Sequence, residues 1–223
     1  MKFLTYTNYG CTKICENMLI SAEKVGINVQ DDFYIACLDR VSYDELKHYK
    51  NCFLYDEQPL IEYQNWTFDE NSGFRKIVQN KWKIIQQIYK EHKELCFVDS
   101  DIVFVKNPLS YIENSSKILF QSDSYPQGSY ICSGFMVFND TPECSSLIDE
   151  CAKTIEDDQL VVNKLIAEKY WNYHQLLDEN LFPNGNVYYM QNRKENAVII
   201  HNNWMIGIYN KIEHFKNEGY WYV

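Results

Sequence analysis

The apolar positions in the first half of the chain follow two patterns in turn, one typical of strands and one typical of helices. The apolar run KFLTYT predicts a strand, and apolar positions recur at helical spacing from about Thr12 to Val25. Further strands are predicted at DFYIACL, CFLYD and LCFV, and helices at SYDELKHY, capped by Ser42, and at GFRKIVQNKWKIIQQIYKEH. The segment from Glu57 to Ser72 has weak periodicity and is predicted to be a loop. Strands that alternate with helices in this way predict a parallel α/β sheet.

The second half of the chain has a more mixed pattern. KILFQSD and YICSGFMVFND predict strands, and TPECSSLIDECAKTI predicts a helix with Thr141 as its cap and Pro142 at its first position. DDQLVVNKLIAE predicts a helix that begins with carboxylates, which suit a helix N-terminus. NAVIIHNNW predicts an apolar strand that ends in polar residues, and MIGIYNKIEHF returns to helical spacing. Because no linker or repeat divides the sequence, we expect one domain over residues 1–223.

The charge balance restricts the ligands that this chain can bind unaided. Its 21 basic and 31 acidic residues give a net charge of −10 at pH 7. A protein this acidic is poorly suited to phosphate backbones or anionic lipid, so nucleic acid is not an expected partner. To bind an anionic ligand, the protein would need local positive charge, from either a metal ion or a few well-placed cationic side chains.

The cysteines and the apolar segments bear on the location of the protein. None of the eight cysteines lies in a CxxC motif, and several occur within apolar strand-like runs. The N-terminus shows no signal-peptide pattern, and no segment has the apolar length of a membrane span. These features predict reduced core cysteines and a cytoplasmic location.

The stretch ELCFVDSDIVFVKNP places two carboxylates inside an apolar run. Burying an ionised carboxylate costs several kcal/mol unless something compensates it. Asp99 and Asp101 directly follow a predicted parallel strand, and residues two apart in an extended segment point the same way. Two converging carboxylates suit Mg²⁺ or Mn²⁺, which prefer oxygen ligands. A capped turn with solvated acids is the alternative explanation.

A second apolar strand also runs into polar residues, in VIIHNNWMIGIYNK. A histidine at a strand end beside a carboxylate pair is a candidate third metal ligand, which makes His201 one here. Gly207 permits close backbone approach, and Lys211 offers a point charge for a diphosphate. A purely structural histidine is the simpler explanation of the same residue.

Five stretches, in this order, resemble nucleotide-sugar-dependent glycosyltransferases of the GT-A fold, in particular the family 77 group and the more distant family 8. They are KWKIIQQIYKEHKELCFVDSDIVFVKNPL, CSGFMVFNDTP, DDQLVVNKLI, LDENLFPNG and AVIIHNNWMIGIYNKIEHFKNEGYW. Before Phe74 only the first strand, FLTYTNYG, matches. The resemblance implies an α/β fold with a central mixed, mostly parallel sheet flanked by helices. It also implies a nucleotide-binding half over residues 1–110 and an acceptor- and sugar-binding half over residues 111–223.

The resemblance further assigns site residues. It implies that Asp99, Asp101 and His201 bind Mn²⁺ or Mg²⁺, and that Asp158, Gln159 and Lys211 serve catalysis beside the transferred sugar and the phosphates. The residues implied to bind the donor are Thr5, Tyr6, Asn8, Lys81, Asp99, Ser100, Ser133, Gly134, Asn202, Gly207 and Lys211. A lysine on a solvated helix face is the alternative explanation of Lys81.

The resemblance implies a hexosyl- or pentosyltransferase. Such an enzyme moves a sugar from a nucleotide-diphosphate donor, expected to be a UDP-sugar, to a hydroxyl of a glycan or protein, with retention of anomeric configuration. If the reaction were inverting, a carboxylate such as Asp158 would be the base.

Two other functions fit the same residues in part. In a haloacid-dehalogenase-type phosphatase, Asp99 would be the nucleophile and Asp101 the general acid, but the segment with His201 and Lys211 would have no role. A carbohydrate-binding protein without catalytic activity, including an inactive transferase homologue, is the other alternative.

Overall fold

A computed structural model describes residues 1–55, 73–124 and 128–223. Within these residues, seven strands form a central sheet and two form a small second sheet. In chain order the strands are β1 (Lys2–Thr7), β2 (Phe33–Cys37), β3 (Cys52–Leu54), β4 (Leu95–Val98), β5 (Ile102–Phe104), β6 (Ile118–Ser122), β7 (Ile131–Phe138), β8 (His174–Leu176) and β9 (Ile199–His201).

Most of the described helices lie between these strands in the chain, and the last one follows β9. They are α1 (Thr12–Lys24), α2 (Val29–Asp32), α3 (Arg40–Leu46), α4 (Gly73–Val78), α5 (Lys81–His92), α6 (Leu109–Ile112), α7 (Pro142–Cys151), α8 (Asp158–Leu165) and α9 (Ile208–Asn217). Short 3₁₀ turns occupy Tyr9–Cys11 and Trp171–Tyr173, and π-helical turns occupy Ile166–Tyr170 and Asn186–Met190.

The central sheet has the order β3-β2-β1-β4-β7-β6-β8. Strands β3, β2, β1 and β4 are parallel, β7 is antiparallel to both β4 and β6, and β8 is parallel to β6. The predicted mixed, mostly parallel sheet flanked by helices is therefore confirmed. The strand order reverses between β1 and β4, and in open α/β sheets ligands bind beyond the carboxyl ends of the strands at such a point.

Alternate residues of the strands pack into two apolar cores. Phe3 and its neighbours on one face pack with Met18 and Leu19 of α1, whereas Leu4 on the other face shares a core with Trp82 of α5 and Leu147 of α7. Both faces of the sheet are thus covered by helices, which explains why the strands are nearly continuous apolar runs.

The second sheet joins two segments that are distant in sequence. Strands β5 and β9 pair antiparallel, with Ile102 opposite His201 and Phe104 opposite Ile199. The N–H of Asn202 then donates to the carbonyl of Asp101 at 3.0 Å, which extends the pairing by one bond. This pairing brings the two polar strand ends found in the sequence side by side.

The structure differs from the predicted elements in a few places. The long helix predicted from residue 73 to residue 92 is two helices. The Asn80 N–H donates to the Ile77 carbonyl, three residues earlier, at 3.3 Å, and this tight turn ends α4 before α5 begins. Asp39, not Ser42, caps α3: its carboxylate accepts from the Ser42 N–H at 2.8 Å. Strand β8 was not predicted. The loop predicted for residues 57–72 lies outside the described residues.

All eight cysteines carry free thiols. Among the described residues, no helix has the length and apolar character needed to cross a membrane.

Candidate active site

A cleft of about 630 Å³ opens at the carboxyl ends of β1 and β4, where the strand order reverses. It contains most of the residues that the sequence singled out. Those that line it are Tyr6, Asn8, Lys81, Asp99, Ser100, Asp101, Ser133, Gly134, Asp158, Gln159, His201 and Lys211. Residues from both predicted halves of the chain therefore meet in one cleft.

Three of the residues predicted to bind the donor do not line the cleft. Thr5 is fully buried within β1, whereas its neighbours Tyr6 and Thr7 reach the cleft. Asn202 is also fully buried, and its side-chain amide donates to the Lys211 carbonyl at 3.0 Å. Gly207 caps α9 with a φ of 88°, a conformation that glycine adopts without strain. The last two residues position the helix that carries the lysine.

The two carboxylates and the imidazole converge at one point. Asp99 follows β4, and its N–H donates to the Gly134 carbonyl of β7 at 2.7 Å. His201 ends β9, and its Nε2 lies 3.3 Å from Oδ1 of Asp101. One ligand atom from each of Asp99, Asp101 and His201 falls within 4.8 Å of the other two. The structure thus brings together all three predicted metal ligands.

The imidazole of His201 has a different environment on each nitrogen. Its Nδ1 lies 2.6 Å from the side-chain oxygen of Gln121 on β6. Its Nε2 is buried and makes no hydrogen bond within the described part of the chain, although a buried polar atom normally has a partner. That nitrogen lies beside the two carboxylates, where it can serve as a ligand atom together with them.

Gly134 leaves space for these side chains. A Cβ atom at this position would lie 2.4 Å from Cε1 of His201 and 2.7 Å from Oδ2 of Asp99. The residue lies in an irregular part of β7, where the register with β6 shifts after Phe120. The irregularity and the missing side chain together form a cradle for the three ligands.

These features fit a divalent cation. Two carboxylate oxygens and one imidazole nitrogen form a donor set suited to Mn²⁺, and the carboxylates alone suit Mg²⁺. The unpartnered Nε2 of His201 and the open space at Gly134 are the observations that carry this fit.

Lys211 of α9 contacts one of the two carboxylates. Its ammonium group donates to Oδ2 of Asp101, and the lysine side chain retains 12% of its exposure. Burial tends to raise the pKa of Asp101, but the charge and hydrogen bond of Lys211 oppose it, and the pKa lies well below its ordinary value. Asp101 therefore remains an anion in the folded protein.

Lys81 of α5 lies between the carboxylates of Asp99 and Asp158. Its ammonium lies 2.6 Å from Oδ2 of Asp158 and 3.2 Å from Oδ1 of Asp99, and it donates to the Ser133 carbonyl at 3.2 Å. Burial opposes the charge of Lys81, but the two carboxylates raise its pKa well above the ordinary value. Lys81 is buried, so it does not lie on a solvated helix face.

Asp157 and Asp158 have separate roles at the start of α8. The Asp157 carboxylate caps the helix by accepting from the N–H of Gln159, and it pairs with Arg75 at 2.8 Å. The Asp158 carboxylate accepts from Lys81 and from the Ser133 hydroxyl, at 2.7 Å. Of the two acids, Asp158 is the one that lies beside the predicted metal ligands.

Sequence reasoning missed a second acidic position in the cleft. Asp123 follows β6, and its carboxylate accepts from the amide of Asn203 at 2.7 Å, the indole of Trp204 at 3.1 Å and the amide of Gln159 at 2.9 Å. Burial raises its pKa, although these hydrogen bonds oppose the rise. A signal was available, because KILFQSD ends an apolar strand with a carboxylate just as LCFVD does.

Comparison with known proteins identifies relatives that use nucleotide sugars. A family model described as nucleotide-diphospho-sugar transferase matches residues 28–215. A UDP-galactose:fucoside alpha-3-galactosyltransferase from Dictyostelium discoideum is 24% identical, over 100% of this chain and 43% of its own length. UDP-D-xylose:L-fucose alpha-1,3-D-xylosyltransferase 1 from Arabidopsis thaliana is 24% identical, over 69% of this chain and 52% of its own length. The chain spans about half the length of the curated relatives that it matches.

Solved structures with the same fold are also glycosyltransferases. One is involved in the glycosylation of the major capsid of PBCV-1 and superposes with a TM-score of 0.56 at 14% identity, over 97% of this chain and 100% of that one. GlyE from Streptococcus pneumoniae TIGR4 gives a TM-score of 0.52 at 14% identity, over 90% of this chain and 54% of that one. These structures confirm the predicted GT-A fold. The family model covers most of the sequence, and the chain therefore belongs to the nucleotide-diphospho-sugar transferase family.

Proposed function

We propose that this protein is a metal-dependent glycosyltransferase that moves a hexose or pentose from a UDP-sugar to a hydroxyl of a glycan or protein. The observation that carries the proposal is the convergence of Asp99, Asp101 and His201 in the cleft at the switch point of the sheet. Family membership supports a nucleotide-sugar donor and leaves no support for the phosphatase alternative. The printed names of the relatives contain UDP-galactose and UDP-xylose, which favours UDP.

The order of strands in the sheet suggests how the donor lies. Tyr6 and Asn8, at the end of β1, are suited to contact the base and ribose. The diphosphate then lies near the ends of β4 and β9, within reach of Lys211. The transferred sugar lies towards Asp158 and Gln159, at the start of α8.

We expect the acceptor to bind on the side of the cleft away from β1. Asp123 and Trp204 line this side, and the indole is 44% exposed although its N–H is held by the carboxylate. An exposed ring in a fixed orientation can stack against a sugar, and a carboxylate can accept a hydrogen bond from a hydroxyl.

Departure of the nucleoside diphosphate places negative charge on the leaving oxygen. A cation held by Asp99, Asp101 and His201 would supply Lewis-acid stabilisation of that charge. Lys211 contributes a second positive charge from the end of the cleft, and preorganised charges of this kind lower the barrier most when water is excluded. Asp158, Asp99 and Ser133 are held in place through Lys81.

The environment of Asp158 supports transfer with retention. An inverting reaction needs a base on the acceptor side, but Oδ2 of Asp158 already accepts from the ammonium of Lys81 and the hydroxyl of Ser133. Both oxygens of Asp123, the carboxylate on the acceptor side, also accept hydrogen bonds from neighbouring side chains. Asp158 is also only 5% exposed. A carboxylate engaged in this way is better suited to orient sugar hydroxyls and to favour positive charge on the sugar than to take a proton.

A donor screen tests the proposal directly. The protein is incubated with Mn²⁺ and a panel of UDP- and GDP-sugars, and free nucleotide is measured. We expect slow nucleotide release from one donor, which a chelator abolishes. Hydrolysis of a generic phosphomonoester would instead support a phosphatase, and the absence of both reactions would leave a carbohydrate-binding protein.

Asp101→Asn tests the metal centre itself. The substitution removes an anionic ligand but keeps the shape of the side chain, so we expect the fold to persist and the Mn²⁺-dependent part of UDP binding to disappear. Calorimetric titration of UDP with and without Mn²⁺ measures this. Asp44→Asn is the matched control, because Asp44 is an exposed residue paired with Lys47 on the surface. Equal Mn²⁺-dependent affinity in the wild type and Asp101→Asn would remove the aspartate from the metal site.

A further inference from the structure

We propose that Gln121 is a positioning residue that fixes the tautomer of His201, so that the imidazole presents a bare Nε2 to the cation. The inference rests on the metal site of the proposed function. It concerns a residue that touches neither the cation position nor the donor, because Gln121 is fully buried in β6 behind the histidine.

The amide of Gln121 can adopt only one orientation. Its nitrogen donates to two backbone carbonyls, those of Phe182 at 3.2 Å and Pro183 at 2.8 Å. A flipped amide would place its oxygen against these two acceptors and would lose both bonds. The oxygen of Gln121 therefore faces His201.

This orientation determines where the imidazole carries its proton. The oxygen of Gln121 can only accept, and it lies 2.6 Å from Nδ1 of His201, so Nδ1 must be the donor. In the neutral imidazole the proton on Nδ1 leaves Nε2 with a lone pair. Nε2 is the atom that is buried without a hydrogen bond, 3.3 Å from Oδ1 of Asp101. A histidine that binds a metal commonly donates its other N–H in this way.

Two structural features hold Gln121 in this position. The register shift between β6 and β7 after Phe120 leaves Gln121 opposite Cys132. The segment that accepts from its amide is attached to β6 as well, since the Asn184 side chain donates to the Ser122 carbonyl at 3.1 Å. At Gly185 a Cβ atom would lie 3.2 Å from the His201 carbonyl, so the segment also packs tightly on the histidine backbone.

The test compares Gln121→Met with the wild type. Methionine has a similar size but neither accepts strongly from Nδ1 nor donates to the carbonyls. The tautomer of His201 is measured in the metal-free protein by NMR of ¹⁵N-labelled imidazoles, and Mn²⁺ affinity is measured by electron paramagnetic resonance. Gln175→Met is the control, because Gln175 is an exposed glutamine on the neighbouring strand β8.

We expect His201 of the wild type to carry its proton on Nδ1. In Gln121→Met we expect loss of this single tautomer and Mn²⁺ affinity about 10- to 100-fold weaker, the usual effect of removing a partner of a metal ligand. Gln175→Met should match the wild type in both measurements. A neutral wild-type imidazole protonated on Nε2, or unchanged tautomer and affinity in Gln121→Met, overturns the proposal.

Gln121→Glu separates positioning from folding. A carboxylate at residue 121 still accepts from Nδ1, so we expect the tautomer to be retained even if the loss of the bonds to Phe182 and Pro183 lowers stability. If Gln121→Glu loses the tautomer while remaining folded, the assignment fails. A wild-type protein that binds no Mn²⁺ contradicts the proposed function instead, whereas unchanged Mn²⁺ binding in Gln121→Met contradicts only this inference.

Discussion

Two lysines neutralise the two aspartates of the DSD stretch, but they do so in different environments. Lys81, with 3% of its side chain exposed, lies between Asp99 and Asp158 at the floor of the cleft. Lys211 contacts Asp101 from α9 at the edge of the cleft, with 12% of its side chain exposed. The pKa values of the aspartates diverge accordingly. Burial raises the pKa of Asp99, although Lys81 opposes the rise. Burial acts on Asp101 in the same direction, but Lys211 opposes it and the pKa of Asp101 is lowered.

The difference predicts that Lys81 contributes mainly to stability and Lys211 mainly to ligand binding. Lys81 pairs with both Asp99 and Asp158, so its removal takes a cation away from two carboxylates at once. Lys211 pairs with Asp101 alone among the predicted metal ligands, and a cation bound there would take over part of the neutralisation. We expect its ammonium then to turn towards a phosphate oxygen. The following substitutions test this contrast.

Lys81→Met should have the largest effect on stability. It leaves Asp99 and Asp158 buried without their cation, and breaking a buried ion pair from one side costs about 3–5 kcal/mol. Urea denaturation measures the free energy of unfolding. Adding Asp158→Asn to the variant should recover part of the loss, and a loss below about 1 kcal/mol in the single variant would show that Lys81 is not a structural cation.

Gly134→Ala should affect both stability and metal binding. The new Cβ would lie 2.4 Å from the His201 ring and 2.7 Å from the Asp99 carboxylate, so both must move. Overpacking of this kind costs about 1–3 kcal/mol. We also expect weaker Mn²⁺ binding, measured by electron paramagnetic resonance.

Gly26→Ala is the control for Gly134→Ala. Gly26 has a φ of 85° and no atom within 4 Å of an added Cβ, so alanine there strains only the backbone, by about 1 kcal/mol. It should lower stability without changing Mn²⁺ affinity. Equal Mn²⁺ affinity in both variants would show that the space at Gly134 is not needed by the metal ligands.

Lys211→Ala should lower ligand affinity more than stability. We expect UDP to bind about tenfold more weakly, because a hydrogen bond to a charged group is worth about 1.5–3 kcal/mol. UMP, with one phosphate fewer, should lose less. Calorimetry with both nucleotides in the presence of Mn²⁺ measures the two losses, and equal losses would place Lys211 away from the diphosphate.

Lys216→Ala should have the smallest effect. This lysine lies on the same helix, α9, and forms an exposed pair with Glu213. Pairs of this kind contribute about 0–1 kcal/mol, so we expect little change in thermal stability and none in UDP affinity. A loss of UDP affinity comparable with that of Lys211→Ala would mean that the net charge of α9, and not one placed ammonium, attracts the nucleotide.

Sequence periodicity predicted the sheet because buried parallel strands leave a clear pattern, whereas most residues of the cleft were implied only by the family resemblance. Apolar runs that end abruptly in polar residues marked Asp99, Asp101 and His201, since a polar side chain after a buried strand needs a partner. The break between α4 and α5 was not visible, because the whole stretch has helical apolar spacing. Thr5 was placed in the cleft, but alternation along β1 turns it into the core instead.

The sequence by itself determined the strand ends that carry acidic and imidazole groups, and therefore the chemistry that the protein can offer. Only the tertiary structure decided which groups share a partner, because pairing between β5 and β9 and the irregular register of β6 and β7 join positions far apart in the chain. Gln121, 80 residues from His201, could be recognised only from that arrangement. A local pattern records burial, whereas hydrogen-bond partners across a sheet depend on the register of strands that the pattern does not fix.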